Sequence, residues 1–264
     1  MATEFWQKQT NGKPLFPDLL WSRPENKQFA GKLLIVGGNL HGFSAPAEAY
    51  QSALKAGIGT ARVLLPDSLQ KTVGRMFEAG EYAPSTPSGS FSQKSLTELL
   101  SLSNWADGTL IAGDLGRNSE TAIMLEKFVD KYKGLLTVTK DAADYFTSTP
   151  QKIVTRPDTL FVISLAQFQK LASSVKFPKA VMFSMDLIRL VELLHEFTEK
   201  YPTQLIIKHL ENIIVASNGQ VSTTKLTEEK EIWRVQTAAH AATWWLQNPN
   251  KPFEALSTAV FESL

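Results

Sequence analysis

Short apolar runs recur along the chain, each separated from the next by room for about one helix. Leu33–Val36, Ala61–Leu65, Thr109–Ala112, Leu135–Val138, Leu160–Ile163 and Gln204–Ile207 are near-continuous apolar segments of strand length, the pattern of strands buried on both faces. Between them the period changes to that of helices. Ala45–Ala56 places Ala45, Ala49, Ala53 and Ala56 on one small-residue face, and Met185–Lys200 carries Leu187, Leu190, Val191 and Leu194. Ser68–Phe77, Ser92–Leu102, Ser119–Tyr132, Gln167–Ala172, Glu231–Leu246 and Pro252–Ser263 read as further helices, with a short one after Asp141. Ile213–Ala216 and Val221–Thr224 flank Ser217-Asn218-Gly219-Gln220, which reads as a hairpin turn. Strand and helix alternate to about residue 207, and a hairpin and helical tail follow. This order predicts an α/β fold: a three-layer α/β/α sandwich on a mainly parallel sheet with an antiparallel edge hairpin.

The N-terminal 31 residues hold Pro14, Pro17 and Pro24 among scattered aromatics. They read as a loop or short helix, an extension that packs on the domain through Phe5, Trp6, Phe16 and Trp21. Pro84–Ser90 is rich in breakers and reads as a loop or mobile lid. No domain boundary or internal repeat is visible, so residues 1–264 are expected to form one domain.

Two strand ends stand out. Leu110-Ile111-Ala112-Gly113-Asp114-Leu115-Gly116-Arg117 runs from a strand into a two-glycine turn, and Asn118 or Ser119 can cap the helix beyond. Leu33–Val36 runs likewise into Gly37-Gly38, then Gly42 and Ser44 before a helix. A glycine turn above a helix N-terminus aims backbone N–H groups and a partial positive charge into a crevice, which suits phosphate. Gly37, Gly38, Gly42, Ser44, Gly113, Gly116 and Arg117 are therefore candidate nucleotide or substrate contacts. The alternative for each glycine is the tight turn that any strand-to-helix connection needs.

Composition narrows the partners. Lys and Arg number 27 against 26 Asp and Glu, so the formal net charge of +1 argues against a nucleic-acid partner. The chain has no cysteine, which excludes disulfides, thiolate metal sites and cysteine catalysis. No apolar stretch approaches a membrane span, and Met1–Trp6 lacks the charge and apolar run of a signal peptide, so a cytoplasmic location is expected. His41, His195, His209 and His240 share no metal-ligand spacing, and no metal site is expected from them. A small-molecule ligand is the expected partner, and a homo-oligomer stays open.

The order of these motifs resembles the NAD(P)H-hydrate dehydratase family, a branch of the ribokinase-like, carbohydrate kinase fold. Val36-Gly37-Gly38-Asn39 and Gly42-Phe43-Ser44-Ala45 are similar to the family's strand into Gly-Gly-Ser and its following turn. Lys55-Ala56-Gly57-Ile58-Gly59 is similar to its Arg-Ala-Gly-Ala-Gly, and Ala112-Gly113-Asp114-Leu115-Gly116-Arg117 to its Gly-Pro-Gly-Leu-Gly-Arg. Lys208 stands at the Lys-Gly strand end, where it is a candidate phosphate or nucleotide contact with a solvated lysine as the alternative, and Asn250-Lys251-Pro252-Phe253-Glu254-Ala255 stands at the closing Asp-Pro-Phe-Glu-Ala. The likeness spans about residues 25–264. It implies a lyase that removes water from hydrated NADH or NADPH, consuming ADP or ATP with Mg²⁺. The chemistry calls for an anion hole for the phosphoryl group and a carboxylate base on the hydroxyl.

The resemblance fails where that chemistry would occur. The family's Gly-Thr/Ser-Gly-Asp run opens the penultimate helix, which here begins Glu231-Ile232-Trp233-Arg234-Val235-Gln236-Thr237. Val235 falls at the Asp position, and Ile232 and Arg234 at the glycines. Gly219, in the hairpin, is the only glycine after Gly134. Valine accepts no proton, and bulky residues tolerate the backbone of an anion nest poorly. The Asp-Ala-Asp run survives as Thr139-Lys140-Asp141, where Asp141 is a base or Mg²⁺ candidate or a cap for the next helix. The Thr-Pro-His-Pro-Gly-Glu run reads Ile163-Ser164-Leu165-Ala166-Gln167-Phe168, with nothing polar expected to serve. Two functional readings follow: an impaired dehydratase-like enzyme, or a pseudoenzyme that binds a nucleotide or protein partner without turnover. A small-molecule kinase of the same fold is a further alternative.

Overall fold

The computed structural model describes residues 4–10, 12–74, 77–226 and 234–263. The strands are β1 (Trp6–Gln9), β2 (Lys32–Gly37), β3 (Thr60–Pro66), β4 (Gly80–Ala83), β5 (Gly108–Gly113), β6 (Leu135–Thr139), β7 (Thr159–Ser164), β8 (Gln204–His209), β9 (Asn212–Ser217) and β10 (Gln220–Lys225). All ten lie in one sheet, in the order β1-β10-β9-β8-β7-β6-β5-β2-β3-β4. From β4 across to β8 every neighbouring pair is parallel, β9 is antiparallel to β8 and to β10, and β1 runs parallel to β10. The expected hairpin is present at that end of the sheet.

The helices are α1 (Pro17–Trp21), α2 (Ser44–Lys55), α3 (Gln70–Val73), α4 (Leu96–Trp105), α5 (Ser119–Lys131), α6 (Ala142–Tyr145), α7 (Pro150–Val154), α8 (Leu165–Ser174), α9 (Leu187–Lys200), α10 (Arg234–Gln247) and α11 (Pro252–Glu262). Side chains alternate across each strand, so β2 sends Leu34 and Val36 into one apolar layer and Leu33 and Ile35 into the other. The first layer is completed by α4 to α9, the second by α1, α2, α3, α10 and α11. The small-residue face of α2 (Ala45, Ala49, Ala53) meets Ala238, Ala239 and Ala242 of α10, which lets the helices lie close to the sheet and to each other. Trp244 and Trp245 fill the same layer.

The N-terminal extension differs from its expected form. Residues 6–9 form an edge strand, because Trp6 Nε1 donates to Thr223 Oγ1 (3.0 Å) and the Gln9 amide donates to Thr224 and to the Ser257 carbonyl. Phe5 stacks on His195 and Phe16 meets Phe253 edge-on, whereas Trp21, expected to pack as well, is 88% exposed. Of the helix expected over 68–77, the described residues form a 3₁₀ turn at 67–69 and the single turn of α3, and the short edge strand β4 and helix α7 add two elements the sequence pattern did not mark. Residues 84–92 are a packed loop: Phe91 is buried beneath it, and Thr86 N–H donates to the Ser90 carbonyl (2.8 Å). Glu231, Ile232 and Trp233 lie outside the described residues, and α10 is described from Arg234 onward.

Candidate functional site

The chain reverses direction across the sheet between β2 and β5: β2 leads outward to β3 and β4, and β5 leads the other way to β6, β7 and β8. Ligands of open α/β sheets gather in the crevice at such a switch, beyond the carboxyl ends of the strands. A cleft of about 830 Å³ opens there, lined by Asn39, His41, Gly42, Ser44, Asp114, Gly116, Arg117, Asn118, Asp141, Asp144, Tyr145, Thr147 and Lys170.

The candidate residues separate into two groups. Gly42, Ser44, Gly116, Arg117 and Asp141 line the cleft. Gly37, Gly38 and Gly113 lie beneath it and hold the two turns together. Gly38 N–H donates to the Gly113 carbonyl, and a Cβ on Gly37 would lie 2.5 Å from that same oxygen. Gly113 has φ 105°, and a Cβ there would meet Asp141 Oδ1 at 2.6 Å.

Both backbone cradles are filled by the protein's own carboxylates. Asp141 reaches back from the end of β6 and accepts the N–H groups of Asp114 (2.8 Å) and Leu115 (2.9 Å). It therefore closes the β5 turn and makes no side-chain cap on α6. Asp114, with φ 56°, accepts the Ala45 N–H (2.8 Å) and the Ser44 hydroxyl (3.1 Å) at the start of α2. Its other oxygen pairs with Lys140 Nζ at 2.7 Å. The N-terminus of α5 is satisfied by Asn118, as its position in the sequence suggests: Oδ1 accepts from Glu120 N (2.8 Å) and Thr121 N. Tyr145 Oη donates to the Gly116 carbonyl and accepts the Asn118 N–H.

Burial sets the electrostatics. It pushes the Asp141 carboxyl up, the two turn amides pull it down, the charge of Asp114 pushes it up again, and the result stays above the ordinary carboxylate value. Burial also pushes Asp114 up, but Lys140, the Ala45 amide and Ser44 together outweigh it and hold that carboxyl low. Burial raises the Tyr145 phenol. Arg117 lines the cleft exposed, with no partner among the described residues.

Gln167 carries a role that its motif did not reveal. Ser164 caps α8 in a capping box with it, and its Oε1 also accepts Arg234 Nη1 at 3.1 Å. Its Nε2 donates to the Lys140 carbonyl (2.6 Å) and to Asp144 Oδ2 (3.2 Å). One buried amide thus ties the cleft floor to Arg234 of α10. The signal was available: Ser164 followed by Gln167 is a capping-box spacing.

Two further candidate positions, Val235 and Lys208, do not line the cleft. Val235 is 1% exposed in the apolar layer under α10. Lys208, at the end of β8 opposite Ser164 of β7, is half-buried, outside the cleft and without a partner among the described residues. Among those residues no group of three or more His, Asp or Glu is placed to hold a metal ion. No helix among them is long and apolar enough to cross a membrane.

The sheet order and the two helical layers form a ribokinase-like α/β fold, and solved structures of that fold superpose on it. A ribokinase-like superfamily protein from Enterococcus faecalis matches with a TM-score of 0.74 at 14% identity, covering 99% of this chain and 87% of that one. The ADP/ATP-dependent NAD(P)H-hydrate dehydratase from Bacillus subtilis, co-crystallised with ATP and Mg²⁺, matches with a TM-score of 0.61 at 12% identity over 90% of this chain and 79% of that one. In sequence, a bifunctional NAD(P)H-hydrate repair enzyme from Methanothermobacter thermautotrophicus is 33% identical over 92 residues, 35% of this chain. The match spans 18% of that relative's length. No family model matches the chain.

Proposed function

We propose that this protein is a divergent relative of the NAD(P)H-hydrate dehydratases that keeps a ligand cleft at the switch point and has impaired phosphoryl transfer. The observation that carries the reading is Val235. The motif order places a carboxylate base at this position, and here a buried aliphatic side chain occupies it. A valine neither takes the proton of a substrate hydroxyl nor lies open to one.

ADP or ATP with Mg²⁺ would be the co-substrate of an active member. The described carboxylates fit that set poorly. Both oxygens of Asp141 face turn amides, those of Asp114 face Lys140 and the start of α2, and those of Asp144 face Lys170 and Gln167. The cleft retains its volume and the unpartnered Arg117, which favours binding of a nucleotide-like small molecule without turnover over a small-molecule kinase.

The test is an assay of the purified, folded protein with hydrated NADH, ADP or ATP, and Mg²⁺. The expected outcome is no turnover above the uncatalysed background. Turnover at the rate of a competent dehydratase overturns the reading. A thermal-shift panel with ADP, ATP, NADH and NADPH reports binding independently, since a ligand that binds only the folded state raises its stability by mass action.

A further inference from the structure

We propose that Asp114 is a specificity-determining residue: an internal carboxylate that occupies the inner anion point of the cleft, keeps a phosphate group from that point, and leaves the inner end to the uncharged part of a ligand whose charged part lies farther out. The proposal deepens the reading of this cleft as a ligand site and rests on it.

Three donors from two separate segments, the start of α2 and the end of β6, converge on this one side chain. Lys140 Nζ lies at 2.7 Å, the Ala45 N–H at 2.8 Å and the Ser44 hydroxyl at 3.1 Å. An ammonium, an amide and a hydroxyl within hydrogen-bond reach of one oxygen pair are the donor set that holds a phosphate oxygen. Asp114 makes these contacts from a left-handed backbone (φ 56°), and its partner Lys140 has one too (φ 51°). Adjacent non-glycine residues of this kind in a cleft persist because the surroundings impose them, and they cluster where a site is being shaped.

The neighbouring amides offer a phosphate no second place, because Asp141 already accepts the N–H groups of Asp114 and Leu115. The held-down carboxyl of Asp114 is ionised at neutral pH and repels an incoming anion. At the cleft rim the Arg117 guanidinium has no partner among the described residues, so an anionic end of a ligand is received there. The cleft therefore orients its ligand, charged end outward and uncharged, hydroxyl-bearing end toward Asp114.

The test is titration calorimetry with inorganic phosphate and with ADP on the wild type, on Asp114→Asn and on the double variant Asp114→Asn with Lys140→Met. Circular dichroism checks folding, and Asp114→Gly, which releases the left-handed backbone, serves if the asparagine variant does not fold. The expected result is that Asp114→Asn binds phosphate about ten-fold more tightly than the wild type and that the double variant loses the gain. Phosphate binding no tighter in either single variant, or a gain that survives without Lys140, overturns the proposal. Turnover of hydrated NADH by the wild type would overturn the functional reading instead, in a separate assay, so the two failures are told apart.

Discussion

Lys140 Nζ lies 2.7 Å from Asp114 Oδ1, and both members of this pair hold left-handed backbone, with φ 51° and 56°. The ion pair bridges the ends of β6 and β5, and Asp114 extends it to the first turn of α2. Side-chain attraction and backbone strain therefore act against each other at one residue. Lys140→Ala removes the attraction and keeps the strain, with an expected loss of ~1–2 kcal/mol. Lys140→Gly removes both, and is expected to be the more stable of the two variants by about 1 kcal/mol. Urea unfolding of both variants checks the order, which is the reverse of the usual cost of glycine.

The pH dependence of Asp141 has a definite sign. Its carboxyl lies above the ordinary value in the folded protein, chiefly through burial. A group raised on folding contributes stability that is fully present below its unfolded value and is lost as pH rises through the folded one. Asp141→Asn does not titrate there. The stability gap between wild type and variant is thus expected to narrow as pH rises from about 4 toward neutrality. Asp114 is shifted the other way, so the gap for Asp114→Asn widens as pH rises from the acid side. Unfolding curves collected across this range, with a carboxyl-carbon NMR titration, check both; a gap that widens for Asp141→Asn contradicts the first.

Restoring a carboxylate at the base position alone is expected to fail. Val235 lies in the apolar layer with Ala238, Ala239 and the small-residue face of α2. Val235→Asp buries an unpaired charge there, at a cost of ~3–5 kcal/mol. The variant is expected to unfold at lower denaturant and to show no turnover of hydrated NADH. A stable and active single variant would mean that the surrounding backbone already forms the anion hole.

Gln167→Ala strips the second half of the α8 capping box and the only contact that joins Arg234 to the cleft floor among the described residues. The expected loss is ~1–3 kcal/mol, measured by denaturation, because partners of a buried amide are left unsatisfied. Gln167→Glu keeps the acceptor for Arg234 and turns a carboxylate toward the Lys140 carbonyl and Asp144. It is expected to destabilise as well, and hydrogen exchange in the first turn of α10 should rise in the alanine variant more than in the glutamate variant.

The strands buried on both faces were readable because apolar runs such as Leu33–Val36 and Leu160–Ile163 leave little choice of structure. Edge strands carry no such signal: β1 (Trp-Gln-Lys-Gln) and β4 (Gly-Glu-Tyr-Ala) are short and polar, and β1 is defined by partners at Thr223 and Thr224 that no local pattern announces. The glycine turns beside the cleft were legible as turns. Their occupants were not, since Asp141 and Asp114 act through amides far from them in sequence. Gln167 is hidden for a different reason: it stands within a degenerate ligand motif, while its spacing from Ser164 is that of a helix capping box.

The outermost strand has a consequence for how the molecule reaches its final form. Trp6 and Thr223 are 217 positions apart, so β1 has nothing to pair with until β10 is in place. Contacts that close so long a loop form late, after local helices and neighbouring strands have assembled. The indole of Trp6 is therefore a built-in clock hand: its burial marks the last stage of refolding rather than the first collapse.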